Sequence, residues 1–119
     1  MNHLKLGEQG EDLAVAFLQQ QGYQLLARRF RCRIGEIDII VKKSGMIVFV
    51  EVKTRRSVLF GTPAQAVNRK KQDKIINTAL NYLNYTNNAR LPIRFDILEV
   101  MIAGEGKPVC NHIINAFGR

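Results

Sequence analysis

This 119-residue sequence is short of three things: cysteine, acidic side chains and long apolar runs. Its two cysteines, Cys32 and Cys110, have no CxxC spacing, and the Cys110-x-His112 pair has no further ligands nearby, which argues against a zinc site. Both read as buried or inert thiols. The longest uninterrupted apolar stretch, Leu13 to Leu18, is six residues, where a membrane span needs about 20. No transmembrane helix and no membrane partner are expected. The N-terminal MNHLKLGEQGEDLAVAF carries charges where a signal peptide has its apolar centre, so a cytoplasmic protein is expected. No internal repeat, low-complexity tract or interdomain linker breaks the chain, and residues 1–119 are read as one domain.

The shortage of acid leaves 18 Lys and Arg against 10 Asp and Glu, a formal charge of +8. That imbalance favours a polyanionic partner, without separating DNA, RNA and the ribosome. At 46% hydrophobic and 24% charged, the composition is that of a globular protein. The cations cluster: Arg28, Arg29, Arg31 and Arg33; Lys53, Arg55 and Arg56; Arg69, Lys70, Lys71 and Lys74. Each cluster taken alone is equally well read as solvated surface.

From His3 to Gln21, Gly10, Leu13, Ala14, Phe17 and Leu18 recur at helical spacing, and Gly22 follows as a stop. Strands are predicted at Tyr23 to Phe30, Gly35 to Val41 and Met46 to Lys53, the last two forming a hairpin around Lys43-Ser44-Gly45. Thr54 to Pro63 reads as a loop, Ala66 to Tyr85 as a helix with a basic first half, and Arg94 to Ile102 and Val109 to Ala116 as strands around a turn at Gly104 to Pro108. The order is αβββαββ.

Alternation puts Glu36, Asp38 and Ile40 on one face of the second strand, and Phe49, Glu51 and Lys53 on one face of the third. A turn at Ser44-Gly45 sets the register so that Asp38 lies directly opposite Glu51. Like charges there are destabilising. Either a raised pKa or a bound cation relieves them, and Mg²⁺ is the natural candidate because it takes oxygen ligands. The same register pairs Glu36 with Lys53, and an ordinary cross-strand ion pair with Asp38 at an exposed sheet end is the competing reading. Glu11 falls at the edge of the first helix's packing face. It is either a further ligand, brought close by Gly7 and Gly10, or a solvated carboxylate.

Asp38, then thirteen residues on Glu51-Val52-Lys53, in a helix-first α/β domain, resembles the PD-(D/E)xK nuclease superfamily, most closely the archaeal Holliday junction resolvases. The segments Gly7-x-x-Gly10-Glu11, Gly35-Glu36-Ile37-Asp38, Phe49 to Arg55, Lys71-Gln72 and Arg94-Phe95-Asp96 look like the YraN family, bacterial proteins proposed to be endonuclease-related. The resemblance implies a restriction-endonuclease-like α/β fold, with an αβββαβ core and a mixed central sheet flanked by helices. It implies that Asp38, Glu51 and the Val52 carbonyl ligate Mg²⁺ or Mn²⁺, that Glu11 completes the carboxylate set, and that Lys53 orients the attacking water or stabilises charge on the phosphate. One departure is Gly35-Glu36-Ile37-Asp38 where the superfamily name implies Pro-Asp. Lys71 and Gln72 would bind a backbone phosphate, Arg55 and Arg56 would meet substrate, and Arg94 and Asp96 would pair with each other.

The expected function is therefore a metal-dependent endonuclease-like protein that hydrolyses phosphodiester bonds in DNA, branched or damaged DNA included. A homodimer is expected by analogy with the junction resolvases. The rival is a non-catalytic nucleic-acid-binding module that keeps the fold.

Overall fold

The computed structural model describes residues 3–56, 67–102 and 107–118. Where Ile and Val crowd the sequence the chain is extended, and where apolar residues recur every three or four positions it is helical. The elements run α1 (His3–Gln20), β1 (Gln24–Arg31), β2 (Glu36–Lys43), β3 (Met46–Arg55), α2 (Arg69–Tyr85), β4 (Ile93–Met101) and β5 (Val109–Phe117). They form one five-stranded sheet in the order β1-β2-β3-β4-β5, antiparallel except for the parallel β3–β4 pair. The α/β class, the element order and the mixed sheet are those read from the sequence.

A helix covers each face of the sheet. Ala14, Val15 and Leu18 of α1 pack with Ile39, Val41, Val48, Val50, Leu98 and Val100, while Ile75, Ala79, Tyr82 and Leu83 of α2 pack with Ile37, Ile40, Ile47, Phe49, Phe95 and Ile97. β3 feeds both layers in alternation, which explains its unbroken apolar run. The β2–β3 turn is a two-residue hairpin with Ser44 at φ +52° and Gly45 at φ +80°, the left-handed pair that matches strand twist and that glycine adopts freely. Its ladder runs from Lys43↔Met46 to Ile39↔Val50, the predicted register.

Two boundaries differ from expectation. α2 starts at Arg69 because the side chain of extended Asn68 accepts the Lys71 N–H at 2.9 Å, capping the helix there. Thr54 and Arg55 belong to β3, since parallel pairing continues to Thr54↔Val100 and Arg55↔Met101. The remainder of the expected loop from residue 57, Ala66, and residues 104–106 of the predicted turn lie outside the described residues. Among those described, no helix is long and apolar enough to cross a membrane.

One face assignment is corrected. Ile37 and Ile39 were expected on the same side of β2, yet Ile37 packs in the α2 layer and Ile39 in the α1 layer. The alternation slips by one residue at Asp38. Its neighbour strand slips at the matching rung: Arg28 pairs with Ile39, Phe30 pairs with Ile37 and packs in the α2 layer, and Arg29 between them stands at φ +52°.

α1 crosses β3 closely at Gly10, where a Cβ would overlap the Thr54 hydroxyl and lie 2.7 Å from its Cγ2. Gly10→Ala should therefore destabilise the fold by about 1–3 kcal/mol, the usual range for overpacking. Adding Thr54→Gly should recover most of that loss in denaturant unfolding. An unchanged midpoint for Gly10→Ala would mean that α1 does not need this approach.

Candidate functional site

At the end of the β2–β3 ladder the next rung would be Asp38 opposite Glu51. The ladder stops instead: the Val52 N–H donates to Asp38 Oδ2 at 2.8 Å, so the side chain takes the hydrogen bond a neighbouring strand would have taken. Glu51, on the α2 face, is 8% exposed. Burial, then a hydrogen bond to Asp38 and the charge of Asp38, push the Glu51 pKa up to about 8. The predicted register brings Asp38 beside Glu51, but the two are not a ladder pair, since the pairing ends at Ile39↔Val50.

Two lysines answer them. Lys71, in the first turn of α2, places Nζ 3.7 Å from Glu51 Oε1. Lys53 follows Glu51 by two residues and shares its face of β3. Burial, then the neighbouring Lys71 ammonium, lowers the Lys53 pKa. Burial works against the Lys71 charge too, but its bond to Lys53 and the charges of Glu51 and Asp38 outweigh it, and its pKa is raised. A cleft of about 290 Å³ opens on this group, lined by Gly35, Glu36, Asp38, Glu51, Lys71, Lys74 and Ile75. Lys74 was not singled out as a site residue; its position three residues after Lys71, on the same helix face, was the available signal. The competing Glu36–Lys53 pairing is not found, because Glu36 pairs with Arg31 at 3.3 Å.

Asp38 also lines a second cleft, of about 270 Å³, on the α1 side, with Leu6, Gly7, Glu11, Val52 and Thr54. Glu11 is 8% exposed and so is not the solvated carboxylate of the alternative reading. Its partners are Arg28 Nε at 3.1 Å and Arg29 Nε at 3.1 Å, both on Oε1. The left-handed backbone of Arg29, which costs a residue with a Cβ about 1 kcal/mol or more, lets two consecutive strand residues reach the same helix. Nothing in the spacing of Glu11 signalled this double arginine contact.

Other expected site residues have different partners. Arg55 is largely buried and its Nε stands 3.4 Å from Glu99 Oε2, so this guanidinium is engaged within the sheet, while Arg56 is exposed. Gln72, expected to meet a phosphate, spends its amide N–H on the Val67 carbonyl at 2.8 Å, fastening the start of α2. Arg94 and Asp96 pair as expected, Nε and Nη2 donating to the two carboxylate oxygens at 2.8 Å each. His112 Nε2 lies 2.7 Å from Asp96 Oδ2. Burial alone would raise the Asp96 pKa, but bonds from His112, Arg94 and the Asn115 N–H lower it instead. This network ties β4 to β5 on the α1 face, away from Glu51.

The donors around Asp38 and Glu51 suit a hard cation. Among the described residues no group of three or more His, Cys, Asp and Glu side chains is drawn together to hold a metal. Two carboxylates, Asp38 and Glu51, remain together, and Mg²⁺ is commonly held by one or two carboxylates when water and substrate oxygens complete its shell. The raised Glu51 pKa comes first from burial and then from Asp38, and the charges of Lys71 and Lys53 offset it only in part.

Comparison with known proteins gives a consistent kinship. The model of the "Uncharacterised protein family UPF0102" matches residues 10–100. A UPF0102 protein of Caldanaerobacter subterraneus is 44% identical over 119 residues, covering 98% of each chain. One from Clostridioides difficile is 44% identical over 117 residues, covering 98% of this chain and all of its own. One from Dictyoglomus thermophilum is 40% identical over 118 residues, with 98% and 100% covered. The YraN likeness read from the sequence is to this same family.

The Glu51 shift fixes a pH dependence. Because the folded pKa, about 8, lies above the ordinary 4.5, the fold holds the proton more tightly than the unfolded chain. The resulting stability is fully present below about pH 4.5 and is lost as pH rises through about 8. In chelator-treated protein, Glu51→Gln should gain on wild type across that window, by at least ~1 kcal/mol at the alkaline end. Urea unfolding at stepped pH measures it. A difference that does not change with pH would show that Glu51 ionises in the fold without cost.

Proposed function

The chain belongs to the uncharacterised protein family UPF0102, whose name assigns no activity, and from the site we propose that it is a metal-dependent nuclease that hydrolyses phosphodiester bonds in DNA. The observation that carries this reading is the meeting of Asp38, Glu51 and Lys71 in one cleft with Lys53 interacting alongside, two carboxylates and two amines from three elements. Here like charges stand side by side around one buried carboxylate, Glu51, an arrangement that suits a cation and an anion arriving together.

The roles follow from position. Asp38, held by the Val52 N–H, and Glu51, fixed in β3, would hold Mg²⁺ or Mn²⁺ with the Val52 carbonyl. Such an ion, when bound, makes water a stronger nucleophile at neutral pH and draws charge from a phosphate oxygen. Lys53, whose pKa is lowered by burial and by Lys71, is suited to orient that water and to take its proton. Lys71 keeps its charge and is suited to stabilise the anionic phosphate as negative charge develops. Lys74, in the same cleft, would meet the adjoining backbone.

The test presents duplex, single-stranded, flap and four-way-junction DNA with Mg²⁺ or Mn²⁺. Asp38→Ala and Glu51→Ala should lose metal binding and cleavage together. Lys53→Ala should keep metal binding and lose cleavage by about 10²-fold or more, the scale of positioned proton transfer. Lys71→Ala together with Lys74→Ala should weaken DNA binding and lower its salt dependence by roughly two phosphate contacts. If wild type cuts none of these substrates yet binds them with steep salt dependence, the non-catalytic binding module replaces the enzyme. Equal cleavage after Lys53→Ala would remove the proposed role of that lysine.

A further inference from the structure

Consecutive residues of a strand project to opposite faces, so Arg28 and Arg29 should point apart. Both instead meet Glu11. Arg28 Nε and Nη2 each lie 3.1 Å from Oε1, and Arg29 Nε lies 3.1 Å from Oε1 and 3.3 Å from Oε2. The left-handed backbone at Arg29 goes with this convergence. A simple tie between α1 and β1 needs none of it: Arg28 alone already spans the gap, with a second bond to Asp12 at 2.8 Å.

The shared carboxylate sits in a telling place. Glu11 lines the cleft that also contains Asp38 and Val52, so it faces the Asp38 end of the proposed metal site from the α1 side, while Glu51 lines the cleft on the other side of Asp38. A carboxylate whose Oε1 is occupied by two guanidinium groups has little left to give a cation, because the same lone pairs serve both. Only Oε2, with one longer contact, is lightly used.

We propose that Arg28 and Arg29 are positioning residues of the metal site, forming a clasp on Glu11 that competes with a divalent cation for that carboxylate. This rests on the reading that Asp38 and Glu51 hold a metal. Glu11 is then a ligand in reserve, and the arginine pair sets how tightly the site takes its ion. The first basic cluster of the sequence thereby acts on the metal through Glu11, while the lysines of α2 face the cleft that would receive the phosphate.

A double-mutant cycle on the full chain tests this. Arg29→Gln, Glu11→Gln and the double variant are stripped with chelator and titrated with Mn²⁺ by calorimetry, with thermal unfolding of the stripped proteins alongside. Arg29→Gln should tighten Mn²⁺ binding roughly five- to tenfold, whereas in the Glu11→Gln background the same change should alter it less than twofold. Arg29→Gly, which accepts the left-handed backbone without strain, should give the same tightening and guards against misfolding. Tightening that persists in the Glu11→Gln background would be bulk charge and would overturn the clasp. Unchanged or weaker affinity in both Arg29→Gln and Arg29→Gly, with only a lower melting temperature, would make the contact a structural tie and overturn it too. Absence of Mn²⁺ binding by the wild type would overturn the metal site itself, and the clasp with it.

Discussion

Like charges drawn together at the ends of β2 and β3 are the constraint around which this structure is arranged. Glu51 is fixed by the strand it belongs to: Phe49 and Ile47 behind it on the same face are core residues, so it cannot turn to solvent without undoing their packing. Asp38 is fixed by the Val52 N–H. Neither carboxylate can move off, and the strain appears as a raised pKa on the more buried of the two. The Asn68 cap, by deciding where α2 begins, decides that Lys71 stands over Glu51 and not a turn away from it. A local rule of helix initiation thus places a charge in the site.

The coordinated slip at Arg29 and Asp38 serves the same end. A regular antiparallel pair would leave Asp38 squarely in one layer. Shifting the alternation in both strands at the matching rung lets the strands stay paired while Asp38 lines clefts on both sides of the sheet. The close crossing at Gly10 then brings the Glu11 end of α1 to the α1-side cleft. Backbone strain, a missing Cβ and a bulky threonine are three small costs in one neighbourhood, and they fall beside Glu11 and its two arginines.

Much of this was legible in the sequence, for reasons that can be named. The apolar period gave the helices, and the Ser44-Gly45 turn gave a register that the ladder keeps as far as Ile39↔Val50, one rung short of Asp38 and Glu51. Register propagates because each rung fixes the next. What escaped were the places where a rung is broken. Ile37 took the opposite face because the alternation slips at Asp38, and no residue type there announces a slip. The partners of Arg55, Gln72 and Glu36 depend on which long side chain reaches which group across the sheet or a helix start, and spacing along the chain does not encode that.

The charge excess itself divides by residue type. Arg28, Arg29, Arg31, Arg55, Arg69 and Arg94 all stand against carboxylates of this chain. The planar fork of arginine suits such fixed pairing, whereas lysine acts as a mobile point charge. It is lysines that reach the Glu51 cleft. There Glu36, Asp38 and Glu51 face Lys71 and Lys74, with Lys53 alongside, so the cleft is close to neutral despite the chain's net +8. A polyanion gains little from a neutral cleft. Two further positive charges held by Asp38 and Glu51 would tip it toward the phosphate, and a phosphate there would in turn favour the cation. On the proposed reading, metal and nucleic acid are therefore bound cooperatively, through the charge balance of side chains already in place.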